Sequence, residues 1–262
     1  MKDKEIWIGT NWKMTKTLAG GLEYCKELKE LASSLNGSIK LFIIPPYTSL
    51  SRIREELSGH DILLGAQNMH WEDKGAYTGE ISPLMLKEIG IDLVELGHSE
   101  RRQYYNENDH DLNKKIKAAL NHGMRPLVCI GENKEQKDFG VSYEVLAQQL
   151  KVSLFGITVE QLSNILIAYE PVWAIGEGGT PADADYVAEI HNYLRCVLVD
   201  LYGEDAAKDV PLLFGGSVNT DNFKGYLSCK NVDGLFIGRA AWNMVTFEEI
   251  LRHIDSNLPI YS

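Results

Sequence analysis

Apolar residues along this chain gather into short runs separated by longer stretches of helical period. The runs are EIWIGTN (5-11), IKLFIIPP (39-46), DILLGAQN (61-68), DLVELGH (92-98), RPLVCIGE (125-132), NILIAYEP (164-171), VPLLFGG (210-216) and DGLFIGR (233-239). Each has the length of a strand. The segments between them, among them GLEYCKELKELASSL, TSLSRIREELS, DLNKKIKAALNHG and ADYVAEIHNYLRCVLVDLYG, repeat apolar positions every three or four residues, as an amphipathic helix does. Strand followed by helix, eight times over, predicts an α/β protein built as a single (β/α)8 barrel across residues 1-262, and no linker or low-complexity tract divides it.

Composition narrows the class. With 44% hydrophobic and 24% charged residues the chain reads as soluble and globular. A net charge of −11 argues against a nucleic-acid surface, which needs clustered Lys and Arg to displace counterions, so any anionic ligand must be held locally. Cys25, Cys129, Cys196 and Cys229 are widely spaced with no CxxC pair, which predicts reduced thiols and no zinc site. No apolar stretch is long enough for a membrane span and the N-terminus lacks a secretion signal, so a cytoplasmic protein without a membrane partner is expected.

Polar residues sit just after several runs: Asn11 and Lys13, Gln67 and Asn68, His98 and Glu100, Glu132, Glu170, Ser217 and Arg239. In a barrel those strand ends share one face, where active sites of this architecture are built. Three glycine-rich turns, AIGEGGT, FGGSV and FIGRAAW, follow the last three strands. Glycine lets backbone N–H groups approach an oxyanion, so together the turns predict a phosphate site. In ELGHSERR, Ser99 is expected to cap a short helix whose positive end keeps His98 neutral and able to donate to a carbonyl. Taken singly, His98 reads as a structural histidine, Lys13 as a solvated lysine and Glu170 as a turn carboxylate. A base, a neutral donor, a cation and a phosphate cradle at one mouth instead match isomerisation of an α-hydroxy carbonyl through an enediolate, which needs neither metal nor organic cofactor.

The motifs GTNWKM, GAQNMHWEDKGAYTGEIS, ELGHSERR, CIGE, AYEPVWAIG and GGSV, in this order from residue 9 to residue 218, resemble the signatures of the triosephosphate isomerase family. The resemblance implies a cofactor-free isomerase of a small phosphorylated sugar, with Glu170 as base, His98 as neutral electrophile, Lys13 as the cation facing the oxyanion, and Asn11 and Glu100 completing the polar set. It implies phosphate binding by backbone at Gly176, Ser217, Gly238 and Arg239, a lid over Pro171 to Pro181, and a homodimer in which Thr78 reaches the neighbouring site.

The sequence departs from the family at the lid and the cradle. The lid, approximately GTGKTA in the family, is GEGGTP here, and Phe214 stands where the family usually has tyrosine. A closing bond between that tyrosine hydroxyl and the backbone N–H at position 181 therefore loses both partners together, because Pro181 has no N–H. Arg239 is expected to grip phosphate, to pair with Glu177 or to point outward. Motif coverage ranks a three-carbon substrate, glyceraldehyde 3-phosphate and dihydroxyacetone phosphate, first. The departures resemble a group of the family acting on erythrulose phosphates, the alternative. A barrel that binds a phosphometabolite without catalysis is the reading from another class. A Schiff-base aldolase is disfavoured, since it needs a lysine inside the mouth on a later strand and none of the runs supplies it.

Overall fold

In a computed structural model, residues 5–35, 38–176 and 178–261 are described. Eight parallel strands, β1 (Ile6–Asn11), β2 (Ile39–Ile44), β3 (Ile62–Ala66), β4 (Leu93–Leu96), β5 (Arg125–Ile130), β6 (Leu166–Tyr169), β7 (Leu212–Phe214) and β8 (Gly234–Phe236), close into a barrel in chain order. All eight apolar runs are strands. They read as nearly continuous hydrophobic segments because parallel strands in a barrel are covered on both faces. Closure is made by β8 against β1, with Gly234 opposite Trp7. A Cβ at Gly234 would lie 1.9 Å from the Trp7 carbonyl oxygen, so the seam tolerates only glycine there.

Residues facing the axis include Trp7, Phe42, Leu93, Leu127, Leu166, Leu213 and Phe236, which fill the lumen. The opposite faces meet the helices. Leu18–Ala32 turns Tyr24, Cys25, Leu28 and Leu31 inward, at the spacing its sequence predicts, and Ala184–Tyr202 does the same with Val187, Ile190, Leu194, Val197 and Leu198. Each buried leucine, isoleucine or valine among them contributes about 1.5–3 kcal/mol on leaving water, which holds helices that would be marginal alone. TSLSRIREELS divides into a 3-10 turn, Tyr47–Ser49, and a helix, Leu50–Glu56. Pro45 and Pro46 ahead of it bias the chain away from a continuous helix. No helix among the described residues is long and apolar enough to cross a membrane.

Candidate active site

The carboxyl ends of the strands open into a cleft of about 790 Å³. Asn11, Lys13, His98, Glu100, Glu170, Gly176, Ser217, Gly238 and Arg239, which the sequence marks as candidates far apart in the chain, all line it. Thr78 lies outside, exposed in the loop after β3.

Glu170 directly follows β6. Its backbone N–H donates to Ile130 O at 2.8 Å, and the residue is 5% exposed. Two glycines make room for it. A Cβ at Gly131 would strike the Glu170 carbonyl oxygen at 2.0 Å, and one at Gly215 would stand 2.8 Å from Glu170 Cγ. Glu170 Oε2 is buried with no hydrogen-bond partner in the protein, leaving lone pairs available to take a proton.

His98 corrects one expectation. The short helix runs Ser99–Tyr105 and its N-cap is His98 itself, whose Nδ1 accepts from the Glu100 N–H at 3.2 Å, so Ser99 is the first helical residue and not the cap. The backbone N–H can only donate, so Nδ1 must be unprotonated and a neutral ring carries its hydrogen on Nε2. That nitrogen faces Glu170 Oε1 at 3.9 Å. Burial, above all, lowers the His98 pKa, although the Glu170 carboxylate pulls the other way. The sequence attributes a neutral ring to the helix end, whereas in the fold burial is the largest cause of the lowered pKa.

Lys13 adopts a left-handed backbone, φ 49°, and its Nζ donates to Glu100 Oε1 at 2.7 Å. Asn11 Oδ1 accepts the Lys13 N–H at 2.6 Å and fixes that turn. Ser217 is also left-handed, φ 40°, and its hydroxyl donates to Ala174 O at 2.5 Å, tying the turn after β7 to the start of the glycine-rich loop. Non-glycine residues in this region are uncommon and cluster at functional sites.

Arg239 donates from Nη2 to Gly176 O at 2.8 Å. The outward-pointing reading is therefore replaced by a bridge from the turn after β8 to the glycine-rich loop. The Glu177 pairing lies outside the described residues. Trp242, which also departs from the family pattern, donates its indole N–H to Asn11 O at 2.8 Å. Phe214 is fully buried, its ring centroid 4.4 Å from that of Tyr226, and the Tyr226 hydroxyl donates to Ala182 O at 2.7 Å. A helix thus supplies the hydroxyl that reaches the far end of the loop, where β7 has none.

Two further carboxyls, one inside a strand and one just after a strand, hold the cleft from below and from its near edge. Glu132 Oε1 accepts from Tyr169 Oη, Trp173 Nε1 and Tyr186 Oη at 3.1, 2.9 and 2.9 Å and anchors the near end of the loop. Glu95, inside β4, is fully buried and accepts from Asn11 Nδ2 at 2.7 Å. Its one sequence signal is a charged residue in the middle of an apolar run.

The sequence model of a family described as triosephosphate isomerase matches residues 6–254. An L-erythrulose-1-phosphate isomerase of Brucella abortus biovar 1 is 46% identical over 252 residues, covering 94% of this chain and 95% of its own. One of Mycolicibacterium smegmatis is 45% identical over 249 residues, covering 94% and 92%. A triosephosphate isomerase of Caldanaerobacter subterraneus subsp. tengcongensis is 43% identical over 248 residues, covering 94% and 98%. The chain belongs to the triosephosphate isomerase family and is an isomerase.

Proposed function

We propose that this isomerase acts on L-erythrulose 1-phosphate, moving a proton between C3 and C2 through an enediolate. This reverses the order in which the motifs alone rank the substrates. The observation that carries the chemistry is Glu170 Oε1 at 3.9 Å from His98 Nε2 in one cleft with Lys13, and the relatives named for erythrulose phosphate favour the four-carbon substrate.

Glu170 removes the C3 proton, and the electron pair forms the C2–C3 enediolate. His98 Nε2–H and the second Asn11 amide hydrogen donate to its oxygens, and the Lys13 ammonium offsets the developing charge. Return of the proton to C2 leaves the carbonyl at C3. Renumbered from the other end, the product is an erythrulose 4-phosphate. Backbone at Gly176, Ser217, Gly238 and Arg239 holds the phosphate, with Pro171 to Pro181 as lid. A three-carbon substrate would lack only the terminal hydroxymethyl group, so the same residues serve both and selectivity resides in the lid and the phosphate turns.

The active form in this reading is one barrel domain per chain, paired as a cytoplasmic homodimer in which Thr78 approaches the partner's site. Exposed Met14, Tyr77, Leu84 and Met85 support the pairing, as apolar side chains that a second copy would cover. A molar mass of one chain in solution would refute it.

The substrate is tested by assaying L-erythrulose 1-phosphate, dihydroxyacetone phosphate and glyceraldehyde 3-phosphate side by side. We expect kcat/KM to favour the first by at least about a hundredfold, roughly 2.7 kcal/mol in transition-state binding. The reverse preference would restore the three-carbon reading. Binding without turnover or solvent proton exchange would leave a non-catalytic phosphometabolite barrel.

A further inference from the structure

Glu95 belongs to the barrel lumen. Leu93, two residues earlier in β4, faces the axis among the lumen residues, and strand alternation turns Glu95 the same way, one layer nearer the cleft. It is 0% exposed and does not line the cleft. A carboxyl in that position needs a reason, because burying an uncompensated charge is costly.

Its surroundings supply one. From the end of β1, Asn11 Nδ2 donates to Glu95 Oε2 at 2.7 Å. From β5, Cys129 Sγ lies 3.9 Å from Oε1. A carboxyl oxygen of Glu95, a ring nitrogen of His98 and a carboxyl oxygen of Glu170 all lie within 4.8 Å of one another, and Lys13 and Glu100 add their charges from the rim. Two buried carboxylates this close cannot both ionise cheaply. Burial first, then the neighbouring Glu170, push the Glu95 carboxyl well above the usual carboxylate range.

Asn11 is the route by which this matters. Its Oδ1 must face the Lys13 N–H, which can only donate, and that choice turns Nδ2 toward Glu95. The Trp242 indole holds its carbonyl. One Nδ2 hydrogen is engaged by Glu95, and the other is left for the ligand in the cleft that Asn11 lines. We propose that Glu95 is a positioning residue of the isomerase: as a neutral carboxylic acid beneath the site it aims the Asn11 amide at the substrate oxygen, and its ionisation switches the site off by placing a second negative charge beside the enediolate. The proposal rests on the enediolate reading above, and its test separates the two.

The full chain and its Glu95→Gln and Glu95→Leu variants are assayed with L-erythrulose 1-phosphate from about pH 6 to 10, and melted over the same range. Gln keeps an acceptor for Asn11 but has no proton to lose. It costs about threefold in kcat near neutrality and moves the alkaline fall of kcat/KM upward by about a pH unit or more. Leu removes the acceptor and lowers kcat about tenfold or more across the range, with KM changed by less than about threefold. An alkaline fall unchanged in Glu95→Gln, or wild-type kcat in Glu95→Leu, overturns the proposal.

Melting reports on the carboxyl without any substrate. A carboxyl with a raised folded pKa makes the wild type lose stability as pH climbs above the unfolded value near 4.3, so the melting temperature of Glu95→Gln relative to wild type must rise with pH. A flat difference overturns the neutral-acid assignment even if no substrate turns over. An inactive wild type with a rising difference leaves Glu95 a neutral acid and removes its catalytic role together with the proposed function.

Discussion

The floor and the rim of the cleft are built on opposite plans. On the floor, Asn11, Glu95, His98 and Glu170 are side chains no more than 7% exposed, and neighbours from several strands restrict each of them. On the rim, Gly176, Gly178 and Gly238 meet nothing within 4 Å where a Cβ would be, and the exposed Arg239 reaches the loop through one hydrogen bond. Burial fixes rotamers, which the proposed proton transfer needs. Gly178 and Gly238 leave room for side chains there, whereas Gly176, at φ 85°, and Gly179, where a Cβ would stand 2.7 Å from the Ala174 backbone, are held to glycine. Relatives at similar identity are named for different sugar phosphates.

The sharpest break of this contrast is Glu170→Asp. Shortening the base by one carbon withdraws it from the substrate carbon, and we expect turnover to fall about a thousandfold, ~4 kcal/mol, while the affinity for a phosphate-bearing inhibitor stays nearly intact. Unchanged turnover would remove Glu170 from the chemistry. Next is a difference in the sign of pH dependence. His191, fully buried behind Phe214, has its pKa pushed down to about 4, chiefly by burial. The unfolded chain therefore binds a proton at this histidine below about pH 6.5 that the fold rejects, and stability is lost as pH falls from there toward 4, by about 3 kcal/mol in full. Glu95 on the floor acts oppositely, losing stability as pH rises. Chemical unfolding of His191→Gln at pH near 7 and near 4.5 should show a smaller drop than wild type, and an equal drop would refute the assignment.

Arg239→Ala should touch the rim alone, raising KM about tenfold and lowering kcat by much less. A kcat loss on the scale of Glu170→Asp would erase the distinction between floor and rim. Phe214→Tyr should be the smallest in activity, changing turnover by less than about twofold, because position 181 has no N–H for the new hydroxyl to meet. Since Phe214 is fully buried against Tyr226, the added oxygen should instead cost about 1–3 kcal/mol of stability in thermal unfolding. A large rise in turnover would show that the lid still lacks its closing bond.

What the sequence disclosed follows the same division. The eight strands were legible because burial on both faces leaves continuous apolar runs, and Lys13, His98 and Glu170 were legible because they stand where those runs end. Glu95 was not, since one acid within LVEL looks like an exposed position until strand alternation is applied from Leu93. In the sequence Glu132 is only an acid after a strand, because its three donors come from positions 169, 173 and 186. The partner of Arg239 was out of reach for the same reason, lying 63 residues away. His98 as its own helix cap was hidden behind Ser99, a better capping residue by type but one position too late.

Asn11 and Trp242, joined by a hydrogen bond across the barrel seam, are 231 residues apart in the chain. At about 5–20 residues per second, the first strand waits roughly 10–50 s on the ribosome for the indole that pins it and for β8, which closes its edge. Until then the nascent chain carries an unpaired strand edge and an incomplete floor. In the proposed reading, the step that seals the barrel against aggregation is also the one that sets Asn11 in place beside the substrate.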